Sequence, residues 1–110
     1  MNLVDLFCGC GGFSLGAHEA GLATKLAIDI DPLLTSSFSL NFSQAKLALE
    51  DTGKLDSTAI RREVGGRVDG IVGGPPCQAF SEMGHRKADD PRRELLFDFF
   101  RLIRDLVGAR

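Results

Sequence analysis

No apolar run in this chain approaches the roughly 18 residues that a membrane-spanning helix requires. The N-terminus also lacks the basic residues that precede the apolar core of a secretory signal, and carries Asp5 instead. Both absences lead to the expectation of a soluble, cytoplasmic protein. Cysteine is sparse and odd in number, three in all, two of them in Cys8-Gly9-Cys10. That pair is too close and too isolated for a disulfide framework or a zinc site, so no metal is expected and the thiols are expected reduced. Repeats, low-complexity tracts and long linkers are missing as well.

What is present is the composition of one globular domain: 110 residues, 44% hydrophobic and 25% charged, enough for a buried core. The formal charge of −2 is uneven, at −4 over residues 1 to 84 and +2 over residues 85 to 110. Arg86, Lys87, Arg92 and Arg93 supply the basic end, which is where a polyanion would meet the chain.

Short apolar runs (Leu3 to Phe7, Lys25 to Ile30, Ala45 to Leu49, Val68 to Val72) alternate with helix-like stretches (Phe13 to Ala20, Pro32 to Phe42, Ser57 to Val64, Glu94 to Val107). Strands buried on both faces and separated by helices predict a parallel sheet with right-handed crossovers, an open doubly wound α/β structure. Ligands of such sheets bind at the carboxyl ends of the strands. The last stretch has helical apolar spacing and a Phe97, Phe99, Phe100 cluster, expected in the core. No strand follows it, so the sheet is expected to be the N-terminal half of a larger one, with an open edge and uncovered apolar surface.

The first strand leads into Asp5-Leu6-Phe7-Cys8-Gly9-Cys10-Gly11-Gly12-Phe13 and then a helix. Glycine there permits a tight turn and a close approach of ligand to backbone. The next strand ends at Asp29, 20 residues beyond Gly9, the spacing of a carboxylate that accepts from ribose hydroxyls. NAD and S-adenosylmethionine both fit. Ser14 stands where the dinucleotide fingerprint has its third glycine, and Asp5 and Phe7 offer a carboxylate for an ammonium and a ring beside an adenosine or sulfonium, which favours S-adenosylmethionine. Cys8 and Cys10 are expected to fill small spaces under the turn, and His18 to face solvent.

A second segment, Gly73-Gly74-Pro75-Pro76-Cys77-Gln78-Ala79-Phe80-Ser81, follows the fourth strand. Each proline fixes its own φ and restrains the preceding residue, so Cys77 sits on a stiffened backbone at a strand exit, a placement that suits a nucleophile.

Together, Asp5-Leu6-Phe7-x-Gly9-x-Gly11-Gly12 and Pro75-Pro76-Cys77-Gln78-x-Phe80-Ser81 closely resemble motifs of the cytosine-C5 DNA methyltransferases. The similarity runs over residues 1 to 110, which resemble the first part of that family's catalytic domain, a Rossmann-like S-adenosylmethionine-dependent methyltransferase fold, without its target-recognition region. The resemblance implies that Phe7, Gly9, Gly11 and Gly12 form the cofactor loop, that Asp29 binds the ribose and Ile30 packs on adenine, that Asp51 lies near the adenine amino group, and that Pro76 and Leu95 line the pocket. It makes Cys77 the catalytic thiolate. Gln78, Ser81, His85, Arg86, Lys87 and Arg92 are expected to face double-stranded DNA and the gap left by a flipped cytosine. The family often has Arg-Gly ahead of the last helix, where this chain has Arg92-Arg93.

The substrate dictates the chemistry. Cytosine C5 is too weak a nucleophile to take a methyl group directly, so addition of a thiolate at C6 first pushes electron density onto C5. That carbon attacks the methyl of S-adenosylmethionine, a base removes the C5 proton, and elimination releases Cys77. C6 is stacked inside a duplex, so the base must be flipped out at a cost of a few kcal/mol. The family's Glu-Asn-Val segment, whose Glu engages cytosine N3, is absent from this sequence. Without it the rate should lose ~10²-fold or more, and these residues alone are expected not to turn over. Three alternatives stand beside the restriction-modification enzyme: an RNA cytosine-C5 methyltransferase of the same fold, an inactive fragment or split-enzyme subunit completed by a second polypeptide, and a cysteine hydrolase pairing Cys77 with His85 or His18.

Overall fold

The computed structural model describes residues 1–75 and 92–107, with the side chains of residues 92, 93 and 107 outside the description. In chain order the elements are β1 (Leu3–Leu6), α1 (Gly12–Glu19), β2 (Thr24–Asp29), α2 (Phe38–Asn41), β3 (Lys46–Leu49), a 3₁₀ turn (Thr52–Lys54), α3 (Ser57–Val64), β4 (Gly70–Gly73) and α4 (Arg92–Val107). The four strands form one sheet in the order β3-β2-β1-β4, and every pairing is parallel. Among the described residues no helix is long and apolar enough to cross a membrane.

Apart from Asp5, β1 and the centre of β2 are apolar at successive positions because both faces of the sheet are covered there, whereas the edge strand β3 is partly exposed. Val4 and Leu6 of β1 and Leu26 and Ile28 of β2 point to one face, where they pack with Ile60, Val64, Leu102 and Leu106 from α3 and α4. Ala27 points to the other face and packs with Cys8 and Phe38. On α3, Ile60 and Val64 are one turn apart, and Asp56 caps the first turn by accepting the Ala59 N–H at 2.8 Å. Arg61 on the same helix donates to the carbonyls of Asp105 at 2.8 Å and Leu106 at 3.4 Å, which holds α3 against the end of α4.

Three expectations change. The helix expected over Pro32 to Phe42 is confined to α2. Asp31 Oδ1 accepts the N–H groups of Leu33 and Leu34, and the Thr35 hydroxyl donates to the Asp31 carbonyl, so local side-chain bonds satisfy this backbone in turns. The fourth strand starts later than Val68, which is buried ahead of it. The phenylalanine cluster of α4 divides. Its buried stripe runs through Phe99, Leu102 and Leu106, which leaves Phe97 and Phe100 more than half exposed.

The turn after β1 is shaped by close packing. Gly11 has φ +103°, and a Cβ there would stand 2.4 Å from the Phe42 ring and 3.0 Å from the Phe38 ring. Phe38 and Phe42 themselves stack with ring centroids 4.8 Å apart, so neither can withdraw freely. Gly11→Ala is therefore expected to destabilise the fold by about 2 kcal/mol or more through overpacking and backbone strain. Chemical unfolding of the two proteins measures this; a change under about 0.5 kcal/mol would contradict the packing described.

Candidate cofactor site

β1 is the switch point of the sheet, because the chain moves from β1 to β2 to β3 in one direction and then returns to place β4 on the other side of β1. A cavity of about 760 Å³ opens at the carboxyl ends of the strands. Its walls come from the segments after all four strands, Phe7 and Gly9, Asp29 to Asp31, Glu50 to Lys54 and Gly74, together with Leu34 and with Glu94, Leu95 and Asp98 of α4.

The turn from β1 is held in an unusual backbone. Phe7 has φ +59° and Gly9 φ +53°. For a bulky residue such a φ is an outlier that costs about 1–3 kcal/mol and persists only where surrounding contacts impose it. Two contacts do so. Cys8 N–H donates to the Ile28 carbonyl at 3.1 Å, and Gly9 N–H donates to Asp29 Oδ2 at 2.9 Å. Asp31 N–H donates to the other oxygen, Oδ1, at 3.0 Å. An ionised carboxylate has about four acceptor positions, so Asp29 is oriented by the backbone and still has lone pairs for a pair of hydroxyls.

The rest of the lining is apolar on one side and acidic on another. Ile30 is 64% exposed and Leu34 60% exposed, and both border the cavity with Leu95. Among the described residues that line it, Asp29, Asp31, Glu50, Asp51, Glu94 and Asp98 contribute six carboxylates against the single ammonium of Lys54. A pyrophosphate would be repelled there, whereas a cationic ligand would be favoured.

Six of the expected cofactor residues, Phe7, Gly9, Asp29, Ile30, Asp51 and Leu95, thus border one cavity. Gly11 and Gly12 border a different one of about 650 Å³, between α1 and the α2–β3 connection, where Gly11 serves packing. Asp31, Glu50, Gly53, Lys54, Glu94 and Asp98 belong to the site and were not anticipated. Asp98 could have been found, since it follows Leu95 by three positions and shares its helix face. Pro76, Cys77, Gln78, Ser81, His85, Arg86 and Lys87 lie outside the described residues. Arg92 opens α4, with its side chain outside the description.

Asp5 corrects an expectation. It is fully buried on the α1 side of the sheet, away from the cavity, so it cannot meet a ligand ammonium. Its Oδ2 accepts the Ser14 hydroxyl at 2.6 Å, and Ser14 Oγ lies 2.8 Å from Thr24 Oγ1. These bonds tie β1, α1 and β2 beneath the turn. Oδ1 has no partner among the described residues. Burial pushes the Asp5 carboxyl above its ordinary range, opposed by the hydrogen bonds from Ser14 and reinforced by the charge of Asp29. Cys8, also buried, is pushed up to about 12 by burial and then by Asp5 and Asp29, which keeps it a neutral thiol. Cys10 is exposed, contrary to expectation, and His18 is exposed as expected.

Fold and cavity first define a class, a Rossmann-like doubly wound α/β domain with a nucleoside-sized, acidic site at its switch point. The chain belongs to the C-5 cytosine-specific DNA methylase family, whose sequence model matches residues 1–107. It is 44% identical over 104 residues to Type II methyltransferase M.DdeI of Desulfomicrobium norvegicum, a match covering 94% of this chain and 25% of that protein. Among solved structures, a chain assigned as a DNA modification methyltransferase of an E. coli prophage superposes with TM-score 0.84 at 38% identity, covering 97% of this chain and 29% of that one. DNMT2 of Spodoptera frugiperda superposes with TM-score 0.72 at 27% identity, covering 96% and 32%. The chain therefore spans between a quarter and a third of the length of these relatives.

The buried carboxyl of Asp5 has a signed consequence for stability. Its folded-state pKa lies above the ordinary 3.8 of the unfolded chain, so the folded state binds the proton more tightly. Stability from this group is greatest at acid pH and falls as pH rises from about 3.8 through the raised value. Asp5→Asn cannot ionise and should lack that decline. Thermal unfolding from about pH 4 to pH 8 compares the two; a wild-type protein that gains stability relative to Asp5→Asn over this range would contradict the burial penalty.

Proposed function

We propose that this chain is the cofactor-binding and nucleophile-bearing portion of a DNA (cytosine-5-)-methyltransferase of a restriction-modification system, with S-adenosylmethionine as methyl donor. The observation that carries the proposal is the convergence of Phe7, Gly9, Asp29, Ile30, Asp51 and Leu95 on one acidic cavity. Its charge supports a sulfonium ligand over a dinucleotide, the choice that the glycine turn and Asp29 leave open.

The residues present fit the donor. Asp29, oriented by Gly9 and Asp31, accepts from the ribose hydroxyls. Ile30 and Leu95 supply apolar surface for adenine, and Asp51 an acceptor for its amino group. Phe7 packs beside the cofactor and Pro76 extends the wall, while Gly11 and Gly12 act by shaping the turn. When bound, S-adenosylmethionine supplies a methyl group activated by the positive sulfur.

Cys77 acts on the other substrate. Its thiolate forms a bond to cytosine C6, the C5 proton passes to a base after C5 is alkylated, and the S–C6 bond then breaks to restore the ring and the thiolate. Gly74, three residues before Cys77 in the sequence, borders the cofactor cavity, which supports pairing the thiolate with a donor held there. Gln78, Ser81, His85, Arg86, Lys87 and Arg92 hold the flipped nucleotide and the duplex phosphates. The family name and the curated relatives favour DNA over RNA as the acceptor.

Two measurements test this. S-adenosylmethionine at 100 times its dissociation constant should stabilise the chain by ~2.7 kcal/mol in a thermal-shift titration, and Asp29→Ala should weaken binding by about tenfold or more. Absence of any shift would remove the cofactor site. In the polypeptide as made in its host, labelled methyl groups should pass to duplex DNA and Cys77→Ala should abolish transfer; labelling of RNA alone would overturn the DNA assignment.

A further inference from the structure

The wall that α4 gives to the cavity is built with more care than a lining needs. Leu95 and Asp98 lie one helical turn apart and both border it. Arg101, a turn further on, does not border it and instead ties Asp98 in place. Its guanidinium Nε is 3.5 Å from Asp98 Oδ1, and its Nη2 donates to the Leu55 carbonyl at 2.9 Å. Leu55 follows the 3₁₀ turn directly, so Arg101 fixes α4 to the segment that contributes Asp51 and Gly53.

The opposite side of the contact is fitted to the same carboxylate. A Cβ at Gly53 would stand 2.9 Å from Asp98 Oδ2 and 3.3 Å from Asp51 Oδ1, so both carboxylates lie close to Gly53. Asp51 spends Oδ1 on the Gly53 N–H at 2.9 Å, which leaves Oδ2. Two acceptor-only groups therefore flank Gly53 at the edge of a cavity whose apolar side is formed by Ile30 and Leu95. A planar ring seated there meets acceptors at that edge. An exocyclic amine, with two N–H donors, satisfies both; a ring carbonyl would face two negative charges and satisfy neither.

We infer that Asp98 is a specificity-determining residue that, with Asp51, reads the exocyclic amine of the adenine ring, and that Arg101 is the positioning residue that aims it. The inference rests on the cofactor assignment proposed above and extends it to a residue that neither motif reading nor relatives' names assign. The site discriminates an adenine nucleoside from its deaminated, hypoxanthine counterpart.

The test is calorimetric titration of the chain with S-adenosylhomocysteine and with S-inosylhomocysteine, in which a carbonyl replaces the 6-amine and ring N1 gains a proton. Wild type should prefer the adenosyl ligand by about tenfold or more, the effect of one charge-assisted hydrogen bond. Asp98→Asn should reduce that preference by about tenfold, Arg101→Met should reduce it part of the way, and Arg101→Lys should retain most of it. A purely structural pair would weaken both ligands equally and leave their ratio unchanged, which would overturn the inference. So would a wild-type ratio near one, or loss of the circular-dichroism signal of the fold in either Asp98→Asn or Arg101→Met. Failure of the wild type to bind either ligand would instead sink the cofactor assignment itself.

Discussion

The hydrogen bond from the Gly9 N–H to the Asp29 carboxylate, 2.9 Å long, joins the turn after β1 to the end of β2, and the geometry of the site follows from it. Both strands run parallel and end side by side, with Leu6 paired to Ile28, so their outgoing segments must diverge within a few residues. The β1 segment does so through left-handed backbone at Phe7 and Gly9, a conformation that is strained at Phe7 and needs an external partner to persist there. Asp29 is that partner, and accepting the bond also aims its remaining lone pairs outward. The Asp5–Ser14–Thr24 contacts support the same turn from below by fixing α1 to β1 and β2. Loss of the upper bond would release the turn, while loss of the lower contacts would release the helix that receives it.

Chain order then brings chemistry to that point. Because β4 returns to lie beside β1, with Gly73 opposite Leu6, the segment after β4 leaves the sheet next to the segment after β1. Gly74, the first residue after β4, accordingly borders the cavity. The helix that follows, α4, comes back across the same opening and closes it with Leu95 and Asp98. Six carboxylates gathered around one cavity are mutually repulsive, and a bound cation relieves part of that repulsion. Strained turn, oriented carboxylate and acidic wall are thus three consequences of one crossing point in the sheet.

Much of this was legible in the chain. The apolar runs at Leu3 and Lys25 mark strands because a sheet covered on both faces leaves no polar alternation to hide them, and the Gly9–Asp29 spacing marks the site because one β-α-β unit has a nearly fixed length. Local hydrogen bonding was harder to read: Asp31 caps a turn, but the backbone bonds of Ser36 and Phe38 then reach back only three residues, to Leu33 and Thr35, so regular helix begins at Phe38 and not at Pro32. Tertiary partners were invisible. Nothing local in Gly11 says that two phenylalanine rings forbid a side chain there, and nothing in Asp5 says that it faces the helix side of the sheet and not the ligand. Asp98 shares the helix face of Leu95, but its approach to Gly53 required knowing that α4 crosses the carboxyl edge. The exposed Phe97 and Phe100 were misjudged because helical spacing identifies a face without saying what covers it.

The central claim is that the donor sits at the carboxyl edge over Asp29 and not in the second cavity beside α1. Backbone amide NMR during a titration with S-adenosylmethionine separates the two directly. The account predicts large shifts at Phe7, Gly9, Asp29 to Asp31 and Gly53, with Leu15, Asn41 and Ala45 little changed. Shifts concentrated at Leu15, Asn41 and Ala45, with Gly9 and Asp31 unmoved, would contradict it.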